Sequence, residues 1–283
     1  MVTTIKIGSL EVTAVVDHVP PPRDLQAIYP DVPADAWDPY RDFALDSDGR
    51  WQTQNCAFLI RPAFGTGSTV LVDAGVGPGP HEPGDSPGKL LGELGDLGVP
   101  ADRLDAVVTT HPHRDHVGWN VSYDDAGSPS PTFGNAYYYL AQADWDYSTQ
   151  PEIAEGAPAI GHSIMPLESL GVLRLVDGVR QIAPGISTLP ANGHTPGHQC
   201  VLIESGGQTG VVIGDLIHNV AQVTEQEWCP AFDWNKEMAR AARREIFGRA
   251  VSEEWTVFAG HLEFGKNIGK IAKADGRFSW HAL

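Results

Sequence analysis

Four apolar, β-branched runs in this chain each end on a side chain able to hold a metal ion, and that recurrence limits the folds open to it. The first, residues 105–110, leads into Thr-His-Pro-His-Arg-Asp-His, placing His111, His113, Asp115 and His116 within six residues. The others stop at His194, Asp215 and His261, each directly after a glycine, where a backbone without Cβ turns readily out of a sheet. Ligand sites in sheets joined by crossover helices gather at the carboxyl ends of strands. The four runs therefore predict a sheet-rich α/β chain with its polar chemistry collected at one edge.

The spacing of the first cluster carries its own geometry. Two histidines at i and i+2 point about 200° apart on a helix and cannot share an ion there, whereas on an extended turn they can. Pro112 disfavours a helical conformation at His111. His111 and His113 are thus expected on a loop leaving a strand, with Asp115 and His116 entering a short helical turn. Four ligands in so tight a span, with further donors at other strand ends, exceed what one tetrahedral ion takes. A two-metal site is the natural reading.

The 283 residues are expected to form one domain, 1–283, since sheet-rich α/β folds of this length are routine. With 42% hydrophobic and 19% charged residues the whole chain reads as globular. Strands are expected at 5–16 with a turn at Gly8-Ser9, and at 55–61, 69–73, 136–140, 173–176 and 186–190; helices at 89–97, 141–147, 164–170 and 235–252. The last helix is expected to bury Met238, Ala241, Ala242 and Ile246 on one face, and loops are expected at 124–131 and 150–161. Residues 20–49, rich in Pro and Asp with Trp37, Tyr40 and Phe43 interspersed, read as an ordered excursion overhanging the site. Two glycine clusters fail as nucleotide motifs: after Gly75 and Gly77, Pro80 occupies the third glycine position, and residues 84–89 are too short for a P-loop.

A formal net charge of −17 opposes binding to a phosphate backbone or an anionic membrane, so the expected partner is a small-molecule substrate, with neither nucleic acid nor membrane. Oligomeric state is not encoded legibly. Cys56, Cys200 and Cys229 are odd in number and widely spaced, with no C-x-x-C, and read as reduced thiols. With no basic region followed by an apolar stretch near the start, a cytoplasmic location is expected.

Taken in order, His111-x-His113-x-Asp115-His116, Gly193-His194, Gly214-Asp215 and Gly260-His261 resemble the metallo-β-lactamase superfamily from about residue 55 to 261. The resemblance implies a four-layered αβ/βα sandwich, two mixed sheets face to face with helices outside. It implies that His111, His113 and His194 hold one metal, that Asp115, His116 and His261 hold the second, and that Asp215 bridges them. Histidine at the third position of the first motif, rather than glutamate, separates the chain from the flavodiiron branch; aspartate at 215, rather than cysteine, separates it from the commonest true β-lactamases. The flanking T-H-x-H-x-D-H-V-G-W and G-D-L-I-H-N-V-A-Q-V look most like the lactonases and methyl-parathion-hydrolase-like enzymes. From those stretches Trp119 and His218 are expected to line a substrate pocket.

The chemistry this implies is hydrolysis of a lactone, ester or phosphotriester by a hydroxide bridging two divalent ions, zinc first, with manganese, iron or cobalt also acceptable to His and Asp ligands. Asp115 would pass the proton to the leaving oxygen. Two rivals stand beside it: a thioesterase or polyketide cyclase-thioesterase on the same site, and a non-catalytic metal-binding domain. His198, four residues after His194, is a candidate to orient a ligand, and Trp145, Trp228 and Phe232 are candidates for an apolar wall.

Overall fold

The apolar runs that alternate in the sequence become strands buried on both faces. A computed structural model describes residues 3–79 and 86–283. Pro80 and Gly84, on which the two nucleotide comparisons turn, lie outside them. Among the described residues two seven-stranded sheets form. The first runs in the order Thr3–Ile7, Leu10–His18, Asn55–Pro62, Val70–Val72, Ala106–Val108, Tyr137–Ala141, Leu173–Val176. The second runs Gln181–Ala183, Ile186–Pro190, Gln199–Ser205, Gln208–Val212, Thr256–Phe258, Ile268–Ala274, Arg277–Ala282. Both are mixed: Val70–Val72 onward is parallel in the first, and Gln208–Val212 pairs parallel with Thr256–Phe258 in the second.

Period-two alternation sorts the side chains into layers. Val12, Phe58, Ile60 and Val108 of the first sheet meet Ile186, Val201, Val212 and Phe258 of the second in one shared core, with Phe58 and Phe258 edge to face at 5.7 Å. Their sequence neighbours face outward: Val15, Ala57, Leu59 and Val107 onto helix Leu90–Asp96, and Cys200, Val211 and Val257 onto helix Lys236–Ser252. The result is the helix-sheet-sheet-helix sandwich that the resemblance implies. No helix among the described residues is long and apolar enough to cross a membrane.

Local expectations fail in three places. Helix Lys236–Ser252, capped by Asn235, does not bury Met238 or Ala241, which are exposed; its inward stripe is Ala239, Arg243, Ile246, Phe247 and Ala250. Arg243 is counted as surface by its charge, yet it is 1% exposed because its guanidinium donates to the carbonyls of Leu216, Gln226 and Trp228. Residues 150–161 contain helix Pro151–Gly156 and the start of the wide turn Ile160–Ile164. Pro151 sits at the helix start, where its missing N–H costs nothing, and Ile160 and Ile164 pack on Val117 and Leu140. Within 124–131, Pro129–Pro131 pairs antiparallel with Val121–Tyr123.

Residues 20–49 pack against Trp51 and the segment after Asp215, and of them Pro20 and Arg23 line the cleft over the donors. Ile28, Tyr29, Trp37 and Tyr40 cluster with Trp51 and Ala221, and the Tyr29 hydroxyl donates to Gln222 Oε1 at 3.0 Å. That same oxygen accepts the amides of His218 and Asn219, so the excursion is tied to the segment after Asp215.

Candidate metal centre

All seven residues singled out as ligands meet at one end of the sandwich. His111 and His113 follow strand Ala106–Val108, Asp115 and His116 lie in the single helical turn Arg114–Val117, His194 follows Ile186–Pro190, Asp215 follows Gln208–Val212, and His261 follows Thr256–Phe258. Two of the glycines are needed sterically. A Cβ on Gly193 would stand 2.1 Å from the amide nitrogen of Ala239, and one on Gly214, at φ +50°, 2.6 Å from His198 Nε2.

The donors fall into two groups that meet at Asp215. Donor atoms of His111, His113, His194 and Asp215 lie within 4.8 Å of one another, as do those of Asp115, His116 and His261 and those of an overlapping third set, Asp215, His218 and His261. Asp215 Oδ2 faces the first group, 3.2 Å from His194 Nε2 and 3.5 Å from His111 Nε2; Oδ1 faces the second, 3.2 Å from His116 Nε2 and 3.1 Å from His261 Nε2. His111 Nε2, His116 Nε2 and Asp215 Oδ1 are buried and have no hydrogen-bond partner. A proton can sit between one such pair, His113 Nδ1 and His194 Nε2 at 3.0 Å for example, but cannot serve the whole cluster. Buried, unpaired donors converging from two sides fit two cations.

Groups behind the imidazoles fix which nitrogen faces inward. His116 Nδ1 donates to Asp73 Oδ2 at 2.8 Å, His194 Nδ1 to Asp233 Oδ1 at 2.9 Å, and His261 Nδ1 to the Gln54 carbonyl at 2.9 Å. His111 Nδ1 donates to Thr110 Oγ1 at 3.1 Å, since that hydroxyl itself donates to Asp73. With Nδ1 carrying the proton, each of the four presents a bare Nε2 to the centre. Asn55 Nδ2 donates to Asp115 Oδ2 at 2.6 Å. His198 Nε2 accepts the amide of Asp215 while its Nδ1 donates to the Ala191 carbonyl, so it orients the central carboxylate through its backbone. Burial pushes His198 down to about 4, which keeps that nitrogen free to accept.

Sequence reasoning did not find Asp73, Asp233 or Asn55. Asp73 left one signal in the sequence, a carboxylate closing the apolar run Val70-Leu71-Val72; the structure holds it left-handed at φ +63°, a conformation uncommon outside glycine and tolerated best by Asp and Asn.

The electrostatics point the same way. Burial drives His111 well below its usual range, keeping its imidazole neutral. Burial pushes Asp215 up, but the facing imidazoles, His261 and His116 first, outweigh it and hold it well below the usual carboxylate range. Burial pushes His116 down, yet Asp215 and Asp73 raise it well above normal. Excess carboxylate charge thus draws protons to the positions a cation would neutralise.

Above the donors lies a cleft of about 250 Å³, walled by His18, Arg23, Trp51, Val76, His218 and Phe232 among others. His218 is pinned there by donating Nε2–H to Asp215 Oδ2 at 2.9 Å, with Phe232 edge-on at 4.8 Å. Trp119 lies elsewhere: its indole donates to Asp17 Oδ1, whose carboxylate also accepts the amides of Val76 and Leu90, so Trp119 braces the loop beneath. Trp145 and Trp228 also pack away from the cleft, in the clusters around Ile164 and Trp37.

Asp144 holds the loop after His194 by accepting from Thr195 Oγ1 and the Gly197 amide, and burial raises it to about 7. A carboxyl raised on folding binds its proton more tightly in the native state, so its contribution to stability declines as pH rises from about 4 to about 7. Asp144→Asn keeps the acceptor for Gly197. Urea midpoints should show the variant gaining on the parent chain at pH 7.5 relative to pH 5; an unchanged difference would remove the assignment.

Comparison with known proteins follows the same lines. The sequence profile of the metallo-beta-lactamase superfamily matches residues 50–261. An N-acyl homoserine lactonase of Bacillus cereus is 22% identical over 173 residues, covering 61% of this chain and 62% of the relative; one of Bacillus thuringiensis is 21% identical over the same span. The chain thus spans less than two thirds of the length of these curated relatives. Among solved structures, the hydrolase AbOPH of the beta lactamase superfamily superposes with a TM-score of 0.81 at 24% identity, and the dizinc quorum-quenching lactonase AidC, bound to an N-acyl homoserine product, with 0.82 at 20%. Each covers 100% of this chain and 97% of the neighbour, a likeness of fold.

Proposed function

Because this chain belongs to the metallo-beta-lactamase superfamily, we propose that it is a hydrolase of two divalent ions, zinc foremost, acting on a lactone, ester or phosphotriester. The observation that carries this reading is the division of Asp215, one oxygen toward His111 and His194 and the other toward His116 and His261. His111, His113 and His194 would hold one ion, Asp115, His116 and His261 the other, with Asp215 common to both. When bound, the ions supply Lewis acidity, lowering the pKa of a water toward about 7 and taking up charge that develops on a substrate oxygen.

The chain's own groups do the rest. Asp73, Asp233, Thr110 and the Gln54 carbonyl hold the imidazoles in the ligating tautomer. Asn55 occupies Asp115 Oδ2, leaving Oδ1 to carry a proton to the leaving oxygen. Phe232, Val76 and Trp51 exclude water from the wall of the cleft. The lactonases among the relatives support a lactone as the first substrate to try.

Metal analysis of the purified protein, combined with a panel of lactones, aryl esters, thioesters and phosphotriesters, tests this. Two equivalents of metal and turnover of a lactone, ester or phosphotriester that chelation abolishes are expected. Preference for the thioesters would favour the rival hydrolase, and two equivalents with no turnover would favour a metal-binding domain.

A further inference from the structure

Arg23 stands out once charge is followed around the cleft. The chain has 36 acidic residues against 19 lysines and arginines, so a guanidinium near a carboxylate is the ordinary outcome. Arg41, Arg50, Arg61, Arg240, Arg244, Arg249 and Arg277 each have such a partner. Arg23 has none among the described residues, as Arg103, Arg174, Arg180 and Arg243 have none, but of these five it is the one that lines the cleft holding His113, Asp115, Asp215 and His261, and it is exposed there. Arg114, next to His113, is the other cation of that lining.

The position of Arg23 is also fixed. Its amide donates to the Trp51 carbonyl at 2.9 Å and its carbonyl accepts the Trp51 amide at 3.0 Å. The Trp51 indole in turn donates to the carbonyl of His218 at 2.9 Å, and His218 contacts Asp215. Three hydrogen bonds therefore set the root of this side chain relative to the centre, so that it swings from a rigid base at the cleft wall and not from a loose loop. Among the described residues the lining holds two carboxylates, Asp115 and Asp215, and the proposed function commits both to the ions.

Resting on the hydrolase reading above, we infer that Arg23 selects a substrate bearing a carboxylate at the end remote from the scissile bond. A planar guanidinium pairs with a carboxylate through two parallel N–H donors, and in a half-enclosed cleft such a pair is stronger than on open surface. The preferred substrate is an anionic ester or lactone, chemically distinct from a neutral acyl lactone.

The test uses the metal-loaded protein and matched esters with one leaving group, a 4-nitrophenyl butyrate and the 4-nitrophenyl monoester of glutaric acid. The anionic ester should be preferred in kcat/KM, and Arg23→Gln should lower that preference about 10- to 100-fold, mainly through KM, with Arg23→Glu lowering it further. An unchanged ratio in Arg23→Gln, or no preference in the parent chain, overturns the inference. Calorimetric binding of glutarate against butyrate reads the same selectivity without turnover. If no ester is cleaved, the hydrolase reading fails, while loss of the glutarate preference in Arg23→Gln still upholds the role of Arg23; an equal preference in both proteins rejects it.

Discussion

Asp215→Asn is expected to lower kcat/KM by at least about 10³-fold and to leave the protein with fewer than two bound ions. The substitution keeps the size and the backbone, whose amide is held by His198, and changes only the two oxygens. One of these faces His111 and His194 and the other His116 and His261, all within 3.1–3.5 Å. An amide can present an oxygen to one group only, and its NH₂ then points at the bare nitrogens of the other. It also removes a negative charge that four imidazoles hold ionised in a buried position. Metal content, kcat/KM on whichever substrate the panel yields, and circular dichroism to verify the fold together decide the point. Full loading with a loss of less than tenfold would show that Asp215 is not shared.

Removing the ions is the second large effect, and it should be read in stability before activity. A ligand that binds only the folded state adds about 4 kcal/mol when present at about 1,000 times its dissociation constant, so two sites add about 8 kcal/mol. In a chain of this size each kcal/mol moves Tm by about 2–4 °C, which predicts a fall on the order of 20 °C upon exhaustive chelation. Protons drawn to His116 and His261 in the absence of metal would soften the fall at low pH, so the measurement belongs near pH 8. Readdition of zinc should restore the transition. A Tm indifferent to chelation would mean that the cluster binds ions weakly or not at all.

The centre was more legible than the walls around it. An apolar run that ends on His or Asp is a local pattern: a glycine precedes the ligand in three of the four segments, at His194, Asp215 and His261, and the fourth announces itself by the density of His111, His113, Asp115 and His116. Asp73 and Asp233 act on His116 and His194 across 43 and 39 residues of chain, and nothing in their own neighbourhood shows the partner. Trp119 and His218 illustrate the limit in opposite ways. Both flank ligands, but the indole of Trp119 finds Asp17, 102 residues earlier, while His218 turns back on Asp215 three residues away. Helix Lys236–Ser252 was legible as a helix and misread as a surface. Charge marks Arg243 as solvent-facing until the three carbonyls that receive it are known.

On the proposed assignment each ion would draw on both sheets, four donors coming from the first and three from the second. For either ion the segment following Ala106–Val108 offers two side chains, His111 and His113 or Asp115 and His116, and the second sheet offers the remainder, His194 or His261 together with Asp215. During synthesis the chain therefore emerges with half a set for each ion about eighty residues before His194 is made, and about one hundred and fifty before His261. If two ions bind as proposed, neither set would be complete until the sheets have closed on Phe58 and Phe258, so metal uptake would follow folding and not seed it.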